Sequence, residues 1–299
     1  MVKTSKTRRR PEANLLKPDP TASAPSQSLR TQVVGILNVT PDSFWDGGRY
    51  TSLGTALARA EEMVREGADW VDVGGSSSRP GAAEVPYEEE RARVLPVLKG
   101  LVKSLPIPLS LDTSRYEIIQ EALDLGVRMI NDIRALRSDE RLPALVARYE
   151  AFVVLMHMQG EPRTMQERPH YTDVVGDIKA FFEERVALVQ SAGVRSDKII
   201  LDPGIGFGKT AGHNLEILRR LAAFGRLGYP LMVGPSRKSV IGQVLDVPAG
   251  ERLHGTSALV ALSIQAGARY VRVHDVREMV QVARMTDAVV AASTRNNII

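Results

Sequence analysis

The sequence predicts an α/β protein of the (β/α)8 TIM-barrel class, built as a single domain. Three observations carry that prediction. From residue 33 onward, short β-branched runs alternate with longer amphipathic stretches, and eight such units follow one another. The amphipathic stretches carry helix start and stop signals of their own. Finally, nearly every strand run ends in a polar residue of chemical interest, as expected where one rim of a barrel carries the site. The 299 residues would allow two domains by length, but barrels routinely occupy about 250 residues as one domain, so the repeat spacing decides.

The strand runs are 33–39, 70–74, 107–112, 128–131, 152–157, 198–202, 231–234 and 270–273. Between them, Ser114 followed by Glu117 has capping-box spacing, and Ile118, Ile119, Ala122 and Leu123 repeat at helical period behind it. Asp275 with Glu278 repeats the device ahead of Val276, Met279, Val280 and Ala283. Glu88, Glu89 and Glu90 open another helix, and Lys99 and Lys103 close it, as the helix dipole favours. The strand exits are Asn38, Asp72, Asp112, Asn131, His157, Asp202, Ser236 and His274. A strand buried on both faces has no structural need for these residues, so they are expected to converge on one functional rim.

Composition narrows the chemistry. With 43% hydrophobic and 25% charged residues the chain has ordinary globular proportions. It contains no cysteine, which excludes disulfides, zinc thiolates and a thiol nucleophile, and suits the cytoplasm. Any metal must be held by oxygen or imidazole. No apolar run approaches the ~20 residues needed to span a bilayer, and no signal-peptide core is present, so a soluble protein without a membrane partner is expected. The sequence pI is about 9.4, yet the positive charge is local. Residues 1–30 carry seven basic and two acidic residues, a net +5 of the chain's +4, which leaves the remainder at −1. Four prolines and no apolar periodicity mark residues 1–30 as a disordered basic tail ahead of a barrel domain at 31–299. A basic tail on a near-neutral body is only weak evidence for a polyanion partner, and no nucleic-acid partner is expected.

Four loops carry the motifs. After the first strand, Asn38-Val-Thr-Pro-Asp-Ser-Phe-Trp-Asp-Gly-Gly48 combines Pro41, Gly47 and Gly48 with two large apolar residues, Phe44 and Trp45, in the manner of a lid. After the second, Gly74-Gly-Ser-Ser-Ser-Arg-Pro-Gly81 offers backbone amides, hydroxyls and the bidentate fork of Arg79 to an oxyanion. Asp202-Pro-Gly-Ile-Gly-Phe-Gly-Lys-Thr210 lacks the glycine that a Walker loop needs at Pro203. Its glycines instead let backbone approach a ligand, with Phe207 as a wall and Asp202 as acceptor for an amidine-like edge. Arg237, Lys238, Arg272 and His274, beside the last two strands, supply positive charge where many barrels bind phosphate. No GxSxG elbow and no HExxH-type spacing occurs, so covalent catalysis is not expected.

With these residues in place the chain resembles the dihydropteroate synthase family, transferases of folate biosynthesis and targets of sulfonamides. They join 6-hydroxymethyl-7,8-dihydropterin diphosphate to 4-aminobenzoate and release diphosphate. The resemblance covers about residues 33–290. It rests on Gly35-Ile-Leu-Asn-Val-Thr-Pro-Asp-Ser-Phe44, Asp72-Val-Gly-Gly with Arg79-Pro-Gly81, Asp112-Thr-Ser114, Asn131-Asp-Ile133 and Leu155-Met-His-Met-Gln-Gly160. It continues through Asp202-Pro-Gly with Gly206-Phe-Gly-Lys209, Ser236-Arg-Lys-Ser239 and Arg272-Val-His-Asp275. It implies that Asp112, Asn131, Asp202 and Lys238 hold the pterin, with Met156 against its ring. It implies that Asn38 contacts a Mg²⁺-bound diphosphate and that Ser78, Arg79, Arg272 and His274 bind the anion. Phe44, Ser78, Pro80, Phe207, Lys238 and Ser239 would then form the aminobenzoate pocket, and Asn38, Arg79, Lys238 and Asp112 the catalytic set. A homodimer in the cytoplasm, acting on small molecules only, is also implied.

The family usually shows Glu where this chain has Ser76, and Thr where it has Ser78. Ser78 keeps the hydroxyl and loses a methyl contact, which implies altered aminobenzoate or sulfonamide affinity. Nothing explains Ser76. Pro235 is expected to stiffen the seventh loop. Two other readings remain open on sequence: a folate-dependent methyltransferase on the same pterin-binding barrel, and a non-catalytic pterin-binding protein. Arg79 with Arg272 and His274 argues against the first, and two loops of lid-like composition against the second.

Overall fold

The computed structural model describes residues 30–39, 49–76, 81 and 85–295. Eight parallel strands close into a barrel in chain order: β1 (Gln32–Asn38), β2 (Trp70–Gly74), β3 (Leu109–Asp112), β4 (Met129–Asp132), β5 (Phe152–Met156), β6 (Ile199–Asp202), β7 (Leu231–Val233) and β8 (Ala268–Val273). The helices between them are α1 (Arg49–Glu66), α2 (Tyr87–Ser104), α3 (Tyr116–Leu125), α4 (Leu142–Arg148), α5 (Val174–Ser191), α6 (Ala211–Arg219), α7 (Ala222–Gly225), α8 (Ser239–Leu245) and α9 (Leu253–Gln265), with α10 (Val276–Arg295) after the last strand. Residues 1–30 and Thr31–Ile299 form separate units, and the barrel lies within the second. The expected third strand begins two residues late, at Leu109, because Pro106 and Pro108 cannot donate to a ladder.

The two faces of each strand bury different chemistry, and this places the site. Outward residues such as Val71, Val73, Leu109, Leu111, Val153, Leu155, Leu201 and Val271 join the large core beneath the helices. Inward residues form a separate cluster of Val34, Trp70, Met129, Val154, Ile200, Met232 and Tyr270. Because side chains alternate with period two, each step of two residues from this inward layer toward the strand exits stays inside the barrel. From Trp70 the step reaches Asp72, from Met129 Asn131, from Val154 Met156, from Ile200 Asp202, and from Tyr270 Arg272. Apolar filling therefore gives way to polar side chains toward the C-terminal rim.

The expected helix signals hold in part. The acidic first turn and Lys103 of α2 stand as read, but Glu90 turns inward. It is 3% exposed, accepts from Thr113 Oγ1 at 2.5 Å and pairs with Arg115 Nε at 2.8 Å. The Ser114–Glu117 capping box does not form. Helix α3 starts after Arg115 with no side-chain cap, because the Ser114 hydroxyl donates to Asp132 instead. Asp275 likewise gives its carboxylate to Arg237. A side-chain cap does form at Asp173 of α5, and a capping box pairs Thr210 with His213 at α6.

Candidate active site

At the inner end of the rim, Arg272 reaches across the barrel. Its Nε donates to Asp72 Oδ2 at 2.6 Å and its Nη2 to Asp112 Oδ2 at 2.7 Å. Asn131 Nδ2 donates to the same Asp72 oxygen at 2.9 Å, so the Asn131 carbonyl is the end left for a ligand. One guanidinium thus serves two carboxylates. Burial pushes the Asp112 carboxyl above its ordinary range, and Arg272 only partly offsets that push. Asp72 Oδ1 is buried without a hydrogen-bond partner, an arrangement that costs stability and persists where a site requires it.

Asp202 closes β6 and is 5% exposed. Its Oδ1 accepts the Gly204 N–H at 2.7 Å, while no described residue bonds Oδ2. Burial raises its carboxyl to about 6, opposed first by the Gly204 N–H and then by the Lys238 charge. The loop that follows turns on Gly204, Gly206 and Gly208, with φ of +68°, +84° and +61°, conformations that glycine alone adopts freely. Close approach demands the same residue: a Cβ on Gly204 would lie 2.0 Å from the His157 carbonyl oxygen, and one on Gly208 2.2 Å from that of Gln159. The loop so pressed buries Phe207 against Met156, Met158 and Met165. Lys238 Nζ sits 4.1 Å from the Phe207 ring centroid.

Beyond β7, Ser236 Oγ lies 3.0 Å from His274 Nδ1 and accepts the His274 backbone N–H at 3.2 Å. Burial, then the charges of Arg272 and Arg237, hold the His274 ring down at about 4, so it is neutral at pH 7. The Arg237 guanidinium forks onto Asp275, with Nε to Oδ2 at 3.0 Å and Nη2 to Oδ1. The expected cluster of four positive groups is therefore corrected. Arg237 is neutralised, His274 can act only as a neutral donor, and Arg272 has spent Nε and Nη2. Lys238, whose Nζ stands over the Phe207 ring, and the Nη1 of Arg272 are the cationic groups that face this cluster among the described residues.

Most residues singled out from the sequence meet here: Asn38, Asp112, Asn131, Met156, Asp202, Phe207, Lys238, Arg272 and His274 stand at or beside strand exits. Ser239 opens α8 and is exposed. Phe44, Ser78, Arg79 and Pro80 lie outside the described residues, as does the remainder of the first lid-like loop from Thr40. The Asn38 amide has no hydrogen-bond partner among the described residues. A cavity of about 920 Å³ opens beside Asp112, lined by Ser76, Thr113, Arg115, Ile133 and Arg134 among others. His157 departs from expectation. It lies one residue past inward-facing Met156, on the outward parity of Leu155, and packs against Phe181 with ring centroids 4.9 Å apart. Its Nδ1 is 3.1 Å from Lys209 Nζ. Burial, with Lys209 second, drives the His157 pKa far down. Sequence reasoning placed Asp72 on the rim without a specific part, gave Lys209 no role, and missed Asn214, whose Oδ1 accepts the Gly206 N–H at 2.7 Å. A lysine reads as a surface residue by default, and Lys209 is 2% exposed.

Comparison with known proteins agrees with this geometry. Residues 34–274 match the family model described as pterin binding enzyme. The dihydropteroate synthase of Synechocystis sp. is 48% identical over 260 residues, covering 87% of this chain and 90% of that protein. That of Escherichia coli K12 is also 48% identical over 260 residues and covered to 92%. Among solved structures, Yersinia pestis dihydropteroate synthase in a sulfonamide complex superposes with a TM-score of 0.82 at 44% identity, over 87% of this chain and 94% of that one. With the match spanning the barrel from its first strand to its last, the chain belongs to the pterin binding enzyme family.

Proposed function

We propose that this chain is a dihydropteroate synthase, condensing 6-hydroxymethyl-7,8-dihydropterin diphosphate with 4-aminobenzoate to give 7,8-dihydropteroate and diphosphate. The observation that carries the reading is the inward row of acceptors, Asp112, the Asn131 carbonyl and Asp202 Oδ2, beside the buried Met156 and Phe207. A pterin presents ring N–H and amine donors along one edge and a flat apolar face, and that row with that wall is its complement. Lys238 donates to the ring from the other side and keeps Phe207 in place.

At the reacting end, the diphosphate departs from the pterin methylene and the arylamine attacks the carbon it leaves. The bond broken is C–O and the bond formed is C–N, with one amine proton lost. Asp112 and Asp202 stabilise the positive charge that spreads over the pterin as the leaving group goes. Arg79, the spare Nη1 of Arg272 and the neutral His274 receive the departing anion. The donor chemistry suits Mg²⁺, because the Asn38 amide is unpartnered among the described residues and its oxygen is a hard ligand of the kind that accompanies phosphate oxygens. When bound with the diphosphate, Mg²⁺ would neutralise leaving-group charge. Phe44, Ser78, Pro80, Phe207 and Ser239 would hold the aminobenzoate.

The barrel at 31–299 would carry the activity, in the cytoplasm and as a homodimer. Support for the dimer comes from the late helices, where Leu262 of α9 and Met285 and Val289 of α10 are more than half exposed. No helix among the described residues is long and apolar enough to cross a membrane. The deciding assay is diphosphate release from purified protein, which should require the pterin diphosphate and 4-aminobenzoate together. Release with the pterin substrate alone, at an equal rate, would defeat the reading.

A further inference from the structure

Lys209 belongs to neither the pterin-holding nor the anion-binding set, yet its surroundings are highly built. Its Nζ bonds the Phe207 carbonyl at 2.9 Å and the His157 carbonyl at 3.2 Å, and lies 3.1 Å from His157 Nδ1. An ammonium has three donors and no acceptor, so these contacts use it completely. The His157 ring is the acceptor of the third, because burial and the Lys209 charge keep it neutral. Burial lowers the Lys209 pKa to about 7 while Asp202 pulls it up. A buried amine is a poor choice for holding a loop whose other carbonyls are already taken: Gln166 Nε2 bonds Gly206 O at 2.6 Å, and Tyr171 Oη bonds Gly208 O at 2.9 Å. The carbonyl that Lys209 alone secures is that of Phe207, whose ring walls the site.

We propose that Lys209 is a positioning residue, a buried staple between His157 at the exit of β5 and the Phe207 carbonyl, which fixes the Phe207 ring for the aminobenzoate. This rests on the dihydropteroate synthase reading. Lys238 and the methionine wall of Met156, Met158 and Met165 hold the ring from its sides, but they set no backbone. Asp202 is held separately through Gly204, so the pterin end should feel the staple less than the aminobenzoate end.

The test is Lys209→Met, which keeps the stem and removes every donor, assayed for dihydropteroate formation beside the parent. The KM for 4-aminobenzoate should rise about tenfold, on the scale that small misplacements cost, with the KM for the pterin diphosphate moving less than about threefold. In a Phe207→Leu background the same substitution should add almost nothing, since both then act through one ring. Should Lys209→Met not fold, Lys209→Gln, which retains two donors, carries the same pair of KM measurements and the same cycle. A parent without activity would defeat the functional reading itself. An active parent with both KM values unmoved, both raised together, or effects additive with Phe207→Leu would overturn the staple.

Discussion

Replacing Asp202 by Asn tests the pterin pocket at its most exacting point. In the parent, Oδ1 is fixed by the Gly204 N–H at 2.7 Å, and Oδ2 is left to accept from the ligand. An asparagine has one acceptor for two donor-facing positions. Set toward Gly204, its oxygen leaves an NH₂ pointing at the pterin's own N–H groups, and the flipped rotamer places the NH₂ against Gly204. Either way one charge-assisted contact becomes donor against donor, a loss of about 2–4 kcal/mol or roughly 30-fold or more in affinity. The melting temperature should not fall, because the substitution removes a carboxylate that burial already disfavours. The pH dependence sharpens the test. With its carboxyl at about 6, Asp202 is ionised at pH 7.5 and mostly protonated at pH 5, where binding must first expel a proton. The parent's advantage over Asp202→Asn should therefore shrink by about tenfold per pH unit below 6, to about threefold at pH 5. Taking the ratio of the two proteins cancels titration of the diphosphate. Calorimetric titration at both pH values measures it. Affinities within a factor of two at pH 7.5, with both proteins folded, would refute the assignment.

Arg272→Met strands Asp72 and Asp112 without their shared cation and should destabilise the barrel by about 3–5 kcal/mol at pH 7. The Asp112 carboxyl, already raised to about 7 in the parent, then rises further, so the deficit in urea melts should narrow as pH falls toward 7 from above and level off below it, where the parent binds the same proton. A deficit that grows as pH falls toward 7 would mean the two carboxylates do not repel. Gly204→Ala should prevent folding or lower the melting temperature steeply, since its φ is +68° and its Cβ would strike the His157 carbonyl, whereas Gly250→Ala, with open space around it, should not. Arg79→Lys should reduce turnover at saturating substrates more than it weakens pterin binding, because the lost fork matters most as the diphosphate leaves. Unchanged steady-state kinetics would remove Arg79 from the reaction.

What could be read from sequence follows the range of the physics involved. Strand exits were legible because a β-branched run followed by Asp or Asn is a local signal, and all eight runs end within a residue of the observed strands. Caps were less legible: Ser114 had correct spacing, but its hydroxyl is drawn to Asp132, a partner 18 residues away. His157 shows why strand exits need their parity as well as their place, since a shift of one residue moves a side chain from the barrel interior to the helix layer. Arg237 was misread because charge was counted without its partner, and only the fold brings Asp275 to it. Lys209 stands in a motif yet drew no role, because nothing local marks a lysine that will lose its water.

Charged acceptors at the barrel mouth, in place of amides, have a consistent physical logic. Asp112 and Asp202 both have carboxyls raised by burial, so the site stores unfavourable desolvation. An amide there would remove that burden, as the expected stability of Asp202→Asn implies. It would also present a donor to a ligand edge made of donors, whereas a carboxylate only accepts. On the proposed reading the stored cost is returned at two moments. Binding supplies N–H partners to lone pairs that water no longer reaches, and departure of the diphosphate then leaves positive charge on the ring facing Asp112 and Asp202. The second return is the larger in a mouth of low dielectric, because charge faces charge instead of dipole. Arg272 keeps the arrangement from collapsing beforehand: by bridging Asp72 and Asp112 it offsets the repulsion between two buried like charges at the strand exits.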